Sequence, residues 1–302
     1  MTSKTFVLTK NNNAAGNRPL PLLSVWSWEI RRVFAKRLNW GFGLASFIFF
    51  LGMLWFKHAW EMGTETSFPF ILYGTSAIGM LYEFTVVLML VFAFILPFVV
   101  TEGVARDYKN RSHEMLMATP LPTSAYVWGR FLAVLTIGLA QAVLMLLAVL
   151  WMGSFLHLRN AVYPQPILGN LISAWGLIVI PPTLLIAGIG FSLGTLWPRK
   201  TRTIMLGIVI TWVLFYTVGQ VLWINPTGIN IIYNLIPQFI QTVEANFASI
   251  PVSQRDIWVG QLQAVSPNLG VWVLPQYSLA SFGILLVLVA AIAFKRFRNE
   301  LE

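Results

Sequence analysis

The sequence predicts an all-α polytopic membrane protein with six transmembrane helices. It adds an N-terminal amphipathic interfacial helix and an outer helical or re-entrant region between spans five and six. Three observations carry this reading. Of 302 residues, 57% are apolar and only 10% are charged, whereas a soluble domain carries about a quarter charged residues. Several apolar runs reach the roughly 18–20 residues that cross a bilayer as a helix. Lysine and arginine gather on alternate connections, which is the pattern that sets orientation.

Residues 1–23 are polar and proline-punctuated, and read as a disordered cytoplasmic N-terminus without the apolar core of a cleavable signal. Residues 24–38, SVWSWEIRRVFAKRL, have helical periodicity. Trp26, Ile30, Val33 and Phe34 share one face, while Arg31, Arg32, Lys36 and Arg37 crowd elsewhere. A basic amphipathic helix ahead of a span is expected in the inner interface, its apolar face in the acyl boundary and its cations near anionic headgroups.

Residues 39–294 form the six-span domain, with helices expected over Asn39–Phe56, Ala77–Val100, Tyr126–Phe155, Leu171–Leu196, Ile204–Ile224 and Leu274–Phe294. An even number of spans puts both termini on one side, and residues 295–302 form a cytoplasmic tail. With the termini inside, only Lys57, Arg159 and Arg255 of the 20 basic residues fall outside. That asymmetry fixes the orientation in a plasma (inner) membrane. It also accounts for the net charge of +9 without nucleic acid. Trp40 and Trp55 bracket span one, Trp128 and Trp151 span three, and Trp175 and Trp197 span four, while Trp223 ends span five and Trp272 begins span six. Trp128 and Trp151 are separated by roughly 34 Å of helix, about one bilayer. Indole rings favour the headgroup level, so anchoring is preferred to substrate stacking.

The outer loop, residues 225–273, is too long for a simple connection. Ile232, Ile236, Ile240, Val243 and Phe247 recur at helical spacing within it. It reads as one or two amphipathic or re-entrant helices packed over the mouth of the bundle, or as an interfacial cover.

Chemistry-bearing patterns are sparse. The chain has no cysteine, which excludes disulfides and thiolate metal sites. His58, His113 and His157 fall in loops without metal-site spacing. No carboxylate pair lies within a span and no G-x-x-x-x-G-K-[ST] sequence occurs, so neither acid–base chemistry nor P-loop nucleotide binding has a visible site. Glu83 is the one acid near a span interior. Such a carboxylate marks a possible substrate path, or it sits at the outer interface beside Tyr82. In span four, Gly188, Gly190, Ser192 and Gly194 form a small-residue stripe suited to close helix packing, inside the bundle or at a dimer seam.

The densest charge lies between spans two and three, at residues 101–125. Glu102, Arg106, Asp107, Lys109, Arg111 and Glu114 precede Met115, Leu116, Met117 and Ala118. Orientation needs only the bases, so the acids call for another explanation. Ser112 can cap a short helix with Glu114 in its first turn, and Pro120 and Pro122 stop it. A helix of about two turns is not stable alone. It gains stability by docking in a groove, with adaptable methionines as knobs.

The stretch Glu102, Arg106-Asp107, Glu114-Met115-Leu116, Thr119-Pro120-Leu121-Pro122 and Gly129-Arg130 resembles the loop between spans two and three of ABC-2-type permeases, the membrane subunits of ABC exporters. The basic pre-span helix, the six spans and the outer helical region extend the resemblance. It implies that the short helix couples to a separate cytoplasmic ATPase through Glu102, Arg106, Asp107, Glu114, Met115, Leu116, Met117, Thr119, Pro120 and Leu121. It further implies a second permease subunit, identical or different, and ATP and Mg held by the ATPase rather than by this chain. The outer loop is longer than a minimal re-entrant hairpin, which leaves the subfamily and cargo open. Few intramembrane charges suit amphipathic or lipid-like cargo better than small hydrophilic ions. Two alternatives stand beside this reading: an ion- or proton-coupled carrier using Glu83, and a non-transporting membrane scaffold.

Overall fold

Long apolar runs without strand-like alternation become helices, because in lipid each backbone polar group must be satisfied within its own segment. The structure, a computed structural model, describes residues 21–35, 37–63, 122–159, 165–218 and 270–293, with 241 and 245. Within them run α1 (Pro21–Phe34), α2 (Arg37–Gly63), α3 (Thr123–Arg159), α4 (Leu168–Ile178), α5 (Ile180–Leu196), a 3₁₀ turn at Pro198–Lys200, α6 (Thr201–Val218) and α7 (Gly270–Ala293). The described residues contain no strand. Three helical stretches among them are long and apolar enough to cross a membrane: Thr123–Arg159, Leu168–Leu196 and Gly270–Ala293. Gly43–Phe56 within α2 is a shorter apolar stretch. The expected span at Ala77–Val100, most of the outer loop, and the two terminal segments 1–20 and 294–302 lie outside the described residues.

Element ends differ from expectation in physically clear ways. The pre-span helix begins at Pro21, where a proline is pre-organised for a first turn. It ends at Phe34, so Arg37 and Leu38 belong to α2. Span four is not continuous. Pro181 and Pro182 sit at the start of α5 and supply no amide hydrogen to the carbonyls one turn back. The helix breaks at Val179 and resumes with the Thr183 amide donating to the Val179 carbonyl at 3.2 Å. Residues Gly270–Val273, ahead of the expected start of span six at Leu274, are already helical.

Contacts along the helices give their directions. Gly43 lies beside Leu144, Phe47 stacks on Trp151 at 6.0 Å, and Trp55 meets Phe155 edge-on at 6.3 Å, so α2 and α3 run parallel. Phe131 packs on Phe191 at 5.7 Å near one end, and the Trp175 indole donates to the Ala142 carbonyl at 3.1 Å toward the other. The α4–α5 unit therefore runs against α3. The Tyr277 hydroxyl donates to the Gly176 carbonyl at 3.2 Å, and Gly283 meets Gly188, which sets α7 parallel to α5. Phe50, Leu54, Phe131, Met145, Leu156 and Phe191 fill the shared core. Lipid tails are as apolar as these side chains, so close packing rather than the hydrophobic effect joins the helices.

One end of this bundle is basic. The start of α3 with Arg130, the 3₁₀ turn after α5 with Arg199 and Lys200, and α1 with Arg31 and Arg32 all gather there. Two tryptophans expected as headgroup anchors also pack inward: Trp175 bonds across to α3, and Trp128 lies edge-on to Phe131 at 5.9 Å. Trp40, Trp151 and Trp197 remain exposed on the bundle surface.

Candidate functional site

The ten docking residues Glu102, Arg106, Asp107, Glu114, Met115, Leu116, Met117, Thr119, Pro120 and Leu121 lie outside the described residues, as does Glu83. The structure does describe the point where that charged loop re-enters the bundle. Pro122 is exposed and non-helical, and Thr123 begins α3. The Tyr126 amide donates to the Pro122 carbonyl at 3.1 Å, closing the first turn.

The first turns of α3 carry a buried ionic junction with α1. Arg130 is 3% exposed and Glu29 is 6% exposed. Arg130 Nη2 stands 3.1 Å from Glu29 Oε1, and Arg32 Nη2 stands 3.0 Å from Glu29 Oε2. The Arg130 contact is a charge pair whose N–H is not aligned for a hydrogen bond. The Arg130 guanidinium also lies over the Tyr126 ring, 4.6 Å from its centroid, and Arg32 lies 5.1 Å over Trp28. A buried charge is tolerated only when paired. One carboxylate between two guanidinium groups, each backed by an aromatic face, meets that condition.

Close backbone approach makes the junction possible. A side chain at Gly129 would come within 2.7 Å of Val25 Cβ and 2.9 Å of the Leu22 carbonyl oxygen. Further along, the Trp26 indole donates to the Thr136 hydroxyl at 3.1 Å, and that hydroxyl donates to the Leu132 carbonyl at 2.7 Å. Leu22, Val25, Trp26 and Glu29 thus share the face of α1 turned to α3. The helix was expected to lay Trp26 into the acyl boundary. Trp26 packs on protein instead, and Leu23, Trp28 and Phe34 are the exposed apolar groups of α1. The cause is Gly129, which leaves room for α1 against α3.

The small-residue stripe lies on α5, where Gly188, Gly190, Ser192 and Gly194 are all buried. Gly188 faces Gly283 of α7 so closely that an added Cβ would reach 2.3 Å from the Gly283 carbonyl oxygen. At Gly188 the stripe makes a contact within this chain.

Residues 61–294 match a family model described as an ABC-2 family transporter protein. The chain belongs to the ABC-2 transporter family. No curated protein matches the sequence. This ABC-2 family member is a membrane permease of ABC-type transport, and membership implies a transport system with an ATPase partner. The matched region covers the charged loop, α3 to α7 and Arg130, whereas α1 and Glu29 precede it.

Sequence reasoning counted Arg130 as an orientation charge and part of the Gly-Arg pattern, and did not single out Glu29. A local signal existed for each. Glu29 is the lone acid of a basic helix, and Gly129-Arg130 stands about one turn inside the apolar span expected from Tyr126. Nothing local indicated that the two meet.

Proposed function

We propose that this chain is the membrane-spanning subunit of an ATP-driven exporter. It forms the translocation path and docks a separate cytoplasmic ATPase through the loop between spans two and three. The observation that carries the proposal is the family match over residues 61–294, which takes in that loop together with the helices on both sides. The loop's own sequence adds support: three acids beyond what orientation needs, then a Met-Leu-Met patch stopped by Pro120 and Pro122. On this reading ATP and Mg bind the partner, which agrees with a sequence that has no P-loop. A second permease subunit completes the path. The basic end of the bundle faces the cytoplasm of the plasma membrane, in line with the positive-inside rule.

The test is Leu116→Asp, which puts a charge in the apolar docking patch. The expected result is loss of ATPase capture in gentle detergent, or hydrolysis no longer linked to transport, with the permease itself still folded by thermal melting. Capture and coupling at the wild-type level would remove the docking assignment. Glu114→Lys is expected to weaken capture in a salt-dependent way.

A further inference from the structure

We propose that α1 and the first turns of α3 form one rigid lever, and that Glu29 is the positioning residue that fastens it. The proposal deepens the docking reading and rests on it for the source of force. It says where displacement of the charged loop goes once it reaches the bundle.

The loop joins α3 at Thr123, and Gly129 and Arg130 follow within two turns. Both belong to the junction. Gly129 admits the α1 backbone, and Arg130 brings a buried cation to Glu29. Two apolar helices in contact can slide over one another, because dispersion contacts are weakly directional. A buried charge pair cannot slide in that way. Moving Glu29 by one turn would pull apart the 3.1 Å pair of two buried charges, and separating buried opposite charges is costly. The Trp26–Thr136 hydrogen bond fixes a second point about two turns further along α3. Two fixed points on one helix define an orientation as well as a contact.

The far end of α1 is tied in turn to α2. The Trp40 indole donates to the Phe34 carbonyl at 2.8 Å, and the two rings lie 5.2 Å apart. Few residues separate the two helices, since α1 ends at Phe34 and α2 begins at Arg37. A push delivered at Thr123 therefore passes from α3 through Glu29 into α1, and from α1 into the start of α2. The first and third spans, which run parallel, would move together. Arg32 holds the other carboxylate oxygen of Glu29 from within α1 and keeps that side chain aimed at α3.

The chain has no cysteine, so introduced pairs can be spin-labelled cleanly. Leu23 on α1 and Ser124 on α3 are both exposed and make a suitable pair for distance measurement in nanodiscs. The permease alone is expected to give one narrow distance. Glu29→Gln, which keeps the shape and removes the charge, is expected to broaden it or add a second population. Arg130→Lys keeps the charge without the planar fork and should give an intermediate width. In the permease–ATPase complex, ADP–vanadate trapping should leave the wild-type distance unchanged. In Glu29→Gln the same trapping should shift it, because α3 moves and α1 no longer follows. A packing role alone would lower assembly without creating a nucleotide-dependent shift.

A narrow distance in Glu29→Gln would show that the pair is not the fastener. A wild-type distance that changes by more than a few ångströms on trapping would show that there is no lever. Failure to capture any ATPase would strike the docking reading instead, and the widths measured on the permease alone would still decide the junction.

Discussion

Alanine at Gly188 must push two helices apart. The new Cβ would stand 2.3 Å from the Gly283 carbonyl oxygen and 2.8 Å from the Gly283 Cα. Non-bonded carbon contacts settle at about 3.5–4.0 Å, so α5 and α7 would have to separate locally by roughly 1 Å. No side chain can rotate away, because both partners at the crossing are backbone. Overpacking of this kind costs about 1–3 kcal/mol. Helix propensity returns about 1 kcal/mol when glycine becomes alanine. The net expectation is a loss of about 1–2 kcal/mol, toward the upper end because rigid backbone has to move. For a chain of 302 residues that lowers the melting temperature by about 2–3 °C. The assay is thermal unfolding of the purified chain in a mild detergent. Gly207→Ala on α6 is the control, since nothing lies within 4 Å of its added Cβ and only the propensity gain applies. If Gly188→Ala melts as high as Gly207→Ala, the close crossing of α5 and α7 is wrong.

Arg130→Ala removes a buried cation from Glu29, with Arg32 the other cation on it among the described residues, and should destabilise by about 3 kcal/mol, the low end for a broken buried pair. Arg32→Ala should cost under about 1 kcal/mol, since the Arg32 side chain is 28% exposed; equal costs for the two, read from the same melts, would contradict the burial argument. Gly129→Val puts a branched side chain where Val25 and the Leu22 carbonyl already stand. It should lift α1 away and speed tryptic cleavage at Arg31 and Arg32, and an unchanged cleavage rate would show that α1 tolerates the insertion. Trp175→Phe keeps the ring and removes the hydrogen bond to the Ala142 carbonyl, so it should cost about 0.6 kcal/mol, typical for such bonds between membrane helices; a loss several times larger would mean that the indole packs more than it bonds.

Much of this protein can be read along the chain. Helix type and rough extent follow from apolar run length, as at Thr123–Arg159, because a lipid environment leaves few other ways to satisfy backbone groups. The gathering of Arg130, Arg199 and Lys200 at one end follows from the alternation of basic connections. The break at Val179 has its cause in Pro181-Pro182, which lie inside the continuous span expected over Leu171–Leu196. The tertiary structure decided the pairings. Glu29 and Arg130 are separated by more than the length of two spans in sequence, and neither has a local pattern that names the other. Gly188 advertised a close approach by its spacing, but only the packed bundle chose Gly283 of the same chain as its neighbour. The physical reason is the same in both cases. Periodicity records which groups must leave lipid or water, and their partners are set only when the helices meet.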